Sequence, residues 1–273
     1  MTSPCSALLS FDFDGTLVDK FREPSFEPEL GELLSVLQRT GAAWVIDTGR
    51  SLAHTLEGIL EHNIPEPPDF IIAREHQIYR RNEDSSWSDL GEWNSACRAR
   101  HETFFESHRP FLAQVKALIE EAQHGWWIAD PSDPAGLITH TETKMAEVVA
   151  FIEKLRLDWP ELGFHRNSVY LRFTHRDFDK GTALRELGRH LGLGPEHIFA
   201  AGDNYNDVPM FDPQVARMVC CPSNALPEIK DQIRTLGGYV ARGTASRGMI
   251  EGLQHYFPAA RAHVLSALTP SRA

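Results

Sequence analysis

The chain is short of cysteine, has no excess of positive charge and contains no long apolar run. It carries 4 Cys in 273 residues, two of them the adjacent Cys220 and Cys221. That is too few for a disulfide scaffold, and with no C-x-x-C pair the four read as thiols of a reducing, cytoplasmic setting. Asp and Glu number 38 against 27 Lys and Arg, a net charge of −11, which excludes a general binder of nucleic-acid backbones because that task needs a basic face. A small anionic ligand is not excluded, since a few local donors can hold one phosphate. No stretch approaches the roughly 18 apolar residues of a membrane span. The opening MTSPCSALLSFDFDG has no basic segment before its apolar residues, so neither a membrane partner nor a secretory leader is expected. The 13 His form no H-E-x-x-H pair, and no P-loop or G-x-S-x-G occurs. Gly192-Leu193-Gly194 lacks the third glycine of a dinucleotide fingerprint and reads as the end of a helix.

What is present is an alternation of short apolar runs and helical periodicity, the mark of an α/β fold with a parallel sheet. Residues 7–11, 42–46 and 70–73 read as strands buried on both faces. Residues 29–39, with Leu30, Leu33, Leu34 and Leu37, and 51–62 read as helices. From about 82 to about 176 the chain is richer in Trp, His and charge. Its pattern predicts helices at 104–123 and 144–157 and strands at 126–129 and 169–173. The alternation then returns, with helices at 182–191, 224–233 and 247–256 and strands at 197–201 and 215–221. The expected layout is a core domain in two pieces, 1–81 and 177–273, with a second α/β domain, 82–176, inserted between them. The C-terminal end has weak pattern and is expected to fray.

Three of the apolar runs end in polar clusters: Asp12-Phe13-Asp14-Gly15-Thr16, Asp47-Thr48-Gly49-Arg50, and Gly202-Asp203-Asn204-Tyr205-Asn206-Asp207. Ligands of open α/β sheets bind outside the carboxyl ends of the strands. If these strands are parallel neighbours, Asp12, Asp14, Asp203 and Asp207 converge, and carboxylates that close need a cation to stay ionised. Their hard oxygens suit Mg²⁺. Lys180 opens a helix, and its ammonium together with the helix N-terminus favours a bound anion. Thr48 and the amide of Gly49 stand before another helix start and can donate to the same anion. Nucleophilic carboxylates, a Mg²⁺ site and phosphate donors together match phosphoryl transfer through an aspartyl-phosphate.

These segments resemble the motifs of the haloacid-dehalogenase superfamily of phosphatases: FDFDGTL at 11–17, TGR at 48–50, the Lys180 segment, and GDNYNDVPM at 202–210. They occur in the family's order and span most of the chain. The resemblance implies a Rossmann-like parallel-sheet core with a cap. A cap between the second and third motifs is similar to the α/β-capped subgroup, which includes the Cof-like and the sucrose-phosphate phosphatases. The tail GTASRGMIEGLQHYF and the segment GEWNSA look like the sucrose-phosphatase branch. On this resemblance Asp12 is the nucleophile, and Asp14 the general acid and then the base for the hydrolytic water. Asp12, the Asp14 backbone carbonyl and Asp203 bind Mg²⁺, with Asp207 in or near that set and Asn206 beside it. Thr48 and Lys180 bind the phosphoryl group. The implied activity is Mg²⁺-dependent hydrolysis of a small sugar phosphate.

The chain departs from the subgroup after the third strand, where Arg74-Glu75-His76-Gln77 replaces a small, Gly-containing stretch. Further candidates for substrate contact are Arg50, Trp126, Trp127 and Arg172, each with an ordinary structural alternative. Asn224 either caps a helix or supports the site. Two other activities are compatible with these residues: transfer of the phosphoryl group to a second sugar hydroxyl, and non-catalytic sensing of a sugar phosphate. The second would call for a broken constellation, which this sequence does not show.

Overall fold

Residues Ala7–Phe11 form the first strand, β1, and all five side chains are buried. A strand hidden on both faces needs apolar side chains at successive positions, which ALLSF nearly supplies. The structure, a computed structural model, describes residues 5–130 and 133–259. After β1 come α1 (Pro28–Arg39), β2 (Ala42–Asp47), α2 (Leu52–Glu61), β3 (Phe70–Ala73), β4 (Gln77–Arg81) and β5 (Trp87–Asp89). The chain continues through α3 (Gly91–Ser107), α4 (Arg109–Glu121), β6 (Gly125–Asp130), β7 (Asp133–Thr139), α5 (Glu142–Leu155), β8 (Leu162–Asn167) and β9 (Tyr170–His175). It closes with α6 (Lys180–Leu191), β10 (Ile198–Ala201), β11 (Met218–Cys221), α7 (Pro227–Thr235), β12 (Tyr239–Val240) and α8 (Ala245–Tyr256).

These elements fall into two units, Met1–Leu90 with Lys180–Ala273, and Gly91–Asp179. The first holds an 8-stranded sheet in the order β12-β11-β10-β1-β2-β3-β4-β5. It is parallel from β12 to β3, with β4 and β5 added antiparallel. The fold is thus α/β, with a Rossmann-like parallel core. Alternate side chains of a strand face opposite ways. Leu9 and Phe11 join a core cluster with Leu30, Leu33, Leu34 and Leu37 of α1 and Met249 and Leu253 of α8. Each leucine buried in this way contributes about 1.5–3 kcal/mol relative to an exposed one.

The second unit is a 4-stranded antiparallel sheet, β6-β7-β9-β8. Its core joins Phe104, Phe111, Val115 and Ile119 of α3 and α4 and Met145, Val148 and Ile152 of α5 to Leu137, Leu171 and Phe173 of the sheet.

Several boundaries differ from the sequence expectation. The division at Leu90 lies beyond residue 81 because β5 pairs with β4 and prolongs the first unit's sheet. The return falls at Lys180 rather than 177. The helix expected at 104–123 is two helices that meet at His108, with Pro110 in the first turn of α4. Proline lacks the N–H an interior turn needs, so it sits where a helix starts. β11 starts at Met218 and not at 215, since the amides of Val215 and Ala216 turn back onto the Asp212 carbonyl. The helix expected from 224 starts at Pro227, and residues 222–226 form the turn before it. The end expected to fray, from 260 on, lies outside the described residues. Among the described residues, no helix is long and apolar enough to cross a membrane.

Candidate active site

β1 lies between β10 and β2, with Phe11 in register with both Ala201 and Ile46. From β1 the sheet runs through β2 and β3 on one side and through β10 and β11 on the other. This is the switch point where parallel sheets open a crevice at their carboxyl ends. The Asp12 amide still donates to the Ala201 carbonyl, at 2.9 Å. Asp12 and Gly202, which follow β1 and β10, and Asp47, which ends β2, therefore emerge side by side.

Lys180, the first residue of α6, is completely buried there. Its Nζ donates to Asp12 Oδ1 at 2.7 Å and to Asp207 Oδ1 at 2.6 Å. The helix start reaches this depth because position 181 is glycine: a Cβ there would lie 2.2 Å from the Pro209 carbonyl oxygen. The second oxygen of Asp207 accepts from the amides of Asp203 and Asn204 at 2.8 and 2.9 Å. Both oxygens of Asp207 are thus engaged by protein donors. Asp203 Oδ1 accepts from the Thr16 hydroxyl at 3.2 Å. The turn after Asp14 crosses directly over Asp203. Gly15 has φ +88, and a Cβ on it would stand 2.6 Å from Asp203 Oδ2.

One oxygen each of Asp12, Asp203 and Asp207 lie within 4.8 Å of one another. Burial, helped by Asp207 and Asp203 and opposed by Lys180, pushes the Asp12 carboxyl well above the ordinary range. Burial, and next the Asp207 charge, raise Asp203 to about 7. Burial works against the Lys180 charge, but Asp12 and Asp207 outweigh it and the net shift is upward. Carboxyls held this uneasily beside one another favour a cation among them. A hard divalent ion suits the all-oxygen set. Since Asp207 is already engaged, Asp12 and Asp203 are the pair best placed to hold it.

The carboxylate of Asp14 is not part of this cluster. It is gripped by Arg50, Nε to Oδ2 at 2.7 Å and NH2 to Oδ1 at 2.6 Å. The guanidinium also lies over the Phe13 ring, 4.6 Å from its centre. Burial disfavours the Arg50 charge, yet the Asp14 hydrogen bonds overcome it and raise its pKa. Thr48 is buried, and its hydroxyl accepts from the Arg50 amide at 3.2 Å, which leaves the hydroxyl proton to donate. Asn206 is buried with Oδ1 unpartnered, and its Nδ2 donates to Glu75 Oε1 at 3.0 Å. Glu75 also abuts Gly49, where a Cβ would be 3.2 Å from Oε1.

Two acids here were given no role by the sequence reading. Asp47 is completely buried with neither carboxylate oxygen hydrogen-bonded, and burial above all pushes its pKa well up. The available signal was an acid closing the apolar run of β2, in line with Asp12. Glu75 is 4% exposed, and it follows Arg74 in the left-handed region, at φ +50 and +68. Two such residues in a row are costly without glycine, and such strain gathers at functional sites. The unusual stretch 74–77 therefore bends a carboxylate in beside Gly49 and Asn206.

The two tryptophans in the second unit part ways. Trp127 packs against that unit's core and stacks on Phe173, ring centres 5.9 Å apart. Trp126 is 58% exposed and meets His140 edge-on. Arg172 donates to the Tyr170 hydroxyl at 3.1 Å. Asn224 lies in the turn before α7 and donates to the Gly15 carbonyl at 2.8 Å.

Comparison with known proteins agrees with this geometry. Residues 5–127 match the family model for sucrose-6F-phosphate phosphohydrolase, and residues 115–241 match that for haloacid dehalogenase-like hydrolases. A bifunctional trehalose-6-phosphate synthase/phosphatase of Thermoproteus tenax is 25% identical over 218 residues, which are 78% of this chain and 28% of that protein. A phosphoglycolate phosphatase of Methanothrix thermoacetophila is 30% identical over 107 residues, 38% of this chain and 43% of that protein. The chain thus spans less than half the length of these curated relatives. Among solved structures, a sucrose-phosphatase from Synechocystis in complex with sucrose and phosphate superposes with TM-score 0.71 at 17% identity, covering 92% of this chain and 98% of that one. A haloacid dehalogenase-like hydrolase from Bacteroides thetaiotaomicron gives 0.60 at 17% identity, covering 92% and 99%. The two family models between them span residues 5–241, and the solved structures share the fold, so the chain is similar to the haloacid dehalogenase-like hydrolases over most of its length.

Proposed function

We propose that the chain hydrolyses the phosphate monoester of a small sugar, through an aspartyl-phosphate on Asp12. The observation that carries this reading is the buried Asp12 carboxylate at the switch point, 2.7 Å from Lys180 and clustered with Asp203. An Asp12 oxygen attacks phosphorus and the bond to the sugar oxygen breaks. That oxygen takes a proton from Asp14. A water then gives its proton to Asp14 and attacks the phosphorus, which breaks the bond to Asp12 and frees inorganic phosphate. Thr48, the Gly49 amide, Asn206 and Lys180 hold the phosphoryl oxygens, and Lys180 offsets charge that Asp12 shares with them. Asp12, Asp203 and the Asp14 carbonyl would hold Mg²⁺, which neutralises phosphoryl charge and fixes orientation. Asp207, with both oxygens engaged, orients Lys180 and the Asp203 loop.

The sugar class is supported by the match of residues 5–127 to a sucrose-phosphate phosphohydrolase model. Four cysteines without a disulfide fit a reducing, cytoplasmic setting. The test is phosphate release with Mg²⁺ over a panel containing sucrose 6-phosphate, trehalose 6-phosphate, hexose phosphates and phosphoglycolate, with acceptor sugars added to reveal transfer. Release from one sugar phosphate well above phosphoglycolate is expected. A protein that releases phosphate from none of them ends this reading.

A further inference from the structure

Asn224 is exposed, yet both ends of its amide are used: Nδ2 donates to the Gly15 carbonyl at 2.8 Å, and Oδ1 accepts from the Ala245 amide at 2.9 Å. Two residues on, the Leu226 amide donates to the Asp203 carbonyl at 3.0 Å. One turn, residues 222–226, therefore touches both the loop that carries Asp14 and the loop that carries Asp203.

The turn is anchored from behind. The Ser223 amide donates to the Gly243 carbonyl at 2.9 Å. Segment 242–247 is fixed in turn to the excursion that follows β1. Arg22 donates to the Thr244 hydroxyl at 2.7 Å, the Glu27 amide to the Ser246 hydroxyl at 3.0 Å, and Arg247 pairs with Glu27. Glu251 accepts from the amides of Arg242 and Gly243 at 3.0 and 2.8 Å. Ala245 is held at φ +42, a left-handed conformation that costs a side chain with a Cβ about 1–2 kcal/mol. It persists where surrounding contacts over-determine it. The links close a ring: from Gly15 across to Asn224, on to Ala245 and Thr244, back to Arg22, and along the chain to Gly15.

We infer that Asn224 is a positioning residue, which through this ring fixes the Gly15 turn and so sets Asp14 against Asp203. The inference rests on the phosphatase reading for its kinetic consequence but not for its structural one. Exposed amide hydrogen bonds are worth only about 1 kcal/mol each, so the ring adds little to overall stability. Its effect lies in geometry, because a displacement near 1 Å at reacting groups costs up to about a hundredfold in rate.

Three variants separate the arms. Asn224→Ala cuts both hooks, Asn224→Asp keeps the acceptor for Ala245 but loses the donor to Gly15, and Arg22→Ala cuts the ring on its far side. With p-nitrophenyl phosphate and Mg²⁺, both Asn224 variants should lose about tenfold in kcat with KM within about twofold of wild type, and Arg22→Ala should lose less. Hydrogen exchange, which needs no activity, should quicken in peptides covering 13–20 and 203–206 and stay unchanged in β1 and β2. A folded Asn224→Asp protein with wild-type exchange in those peptides overturns the inference, as does one with wild-type kcat. If the wild-type protein releases no phosphate at all, the functional reading falls and the exchange result alone decides the role of Asn224.

Discussion

Arg50 holds Asp14 by a two-pronged ion pair, and the hydroxyl of Thr48, two residues earlier, accepts the Arg50 amide. The residue proposed to bind the phosphoryl group and the one proposed to move protons are thus tied through a single residue, the first by its backbone amide and the second by its guanidinium. The pair is partly exposed, 29% and 44% for the two side chains, so its stability contribution is at most about 1 kcal/mol. Its consequence is orientation. Arg50→Ala should lower kcat about tenfold on any ester, with a melting temperature close to wild type. Arg50→Lys should recover only part, because an ammonium cannot reproduce the planar fork. A wild-type kcat in Arg50→Ala would show that the grip on Asp14 is idle.

Asp12→Asn should abolish turnover while the protein stays folded, because an amide is a poor nucleophile and Lys180 keeps its bond to Asp207. More than about a hundredth of the wild-type rate in the folded variant removes the covalent role. Asp203→Ala should instead weaken Mg²⁺ binding, so that high Mg²⁺ restores part of the rate. An unchanged Mg²⁺ titration takes Asp203 out of the site.

Lys180→Ala tests the buried charge itself. It leaves Asp12 and Asp207 in the interior without their cation, which costs about 3–5 kcal/mol when one partner of a buried pair is removed. Mg²⁺ should return part of that stability, a difference visible in thermal melts with and without the metal. Sugar phosphate and p-nitrophenyl phosphate should lose rate alike, since the lysine serves the phosphoryl group they share. A variant that slows only the sugar ester would assign Lys180 to the sugar.

The two tryptophans should separate stability from specificity. Trp127→Ala removes a half-buried side chain packed on the second unit's core and should cost up to about 3 kcal/mol. Trp126→Ala, at an exposed position, should melt like wild type. Trp126 and Arg172 are candidates for substrate contact in the unit that carries none of the four motifs, so Trp126→Ala should lower kcat/KM for the preferred sugar phosphate and spare p-nitrophenyl phosphate, and Arg172→Ala should do likewise. Equal losses on both esters would mean that the inserted unit takes part in the chemistry.

The second unit should also weaken in acid. His101 lies between Cys97 and Thr174, with Nδ1 2.8 Å from the Cys97 carbonyl oxygen and Nε2 2.7 Å from the Thr174 hydroxyl. Burial foremost lowers its pKa from 6.5 to about 4. A histidine whose folded pKa is depressed binds more protons when unfolded. Its contribution is therefore complete above pH 6.5 and is lost as pH falls toward 4, roughly 3 kcal/mol in all. Unfolding of wild type and His101→Gln, followed between pH 7.5 and 4.5, should show the gap between them narrow in acid. A pH-independent gap would mean that His101 is not held neutral.

The core strands and the clustered acids Asp12, Asp203 and Asp207 could be read from the sequence for one shared reason. β1, β2, β3 and β10 are buried on both faces, so they show as apolar runs, and the acids that follow β1 and β10 stand out. β4 and β5 have no such run: QIYRR and WSD are short, half-exposed pieces at the sheet's edge. α3 hides because it buries only Asn94, Cys97 and Phe104, too few apolar side chains to mark a face in the sequence. The burial of Lys180 was not legible either, since a lysine opening a helix looks the same in sequence whether solvated or enclosed. Asp47 and Glu75 are enclosed by parts of the chain distant from them in sequence, and local pattern records nothing of that enclosure.

The chain passes between its two units at Leu90–Gly91 and again at Asp179–Lys180, and the residue at which it re-enters the parallel-sheet unit is the buried lysine. The start of α6 is seated by the fit of Gly181 against Pro209 and by the bonds of Lys180 to Asp12 and Asp207, all within that one unit. An insert can thus change in length, sequence and architecture over generations, or be exchanged at the bench, without redrawing the charge constellation, provided it delivers the chain back at position 180. The seam of the module coincides with the buried lysine of the charge cluster, which makes 90/91 and 179/180 the natural cut points for exchanging the insert on this core.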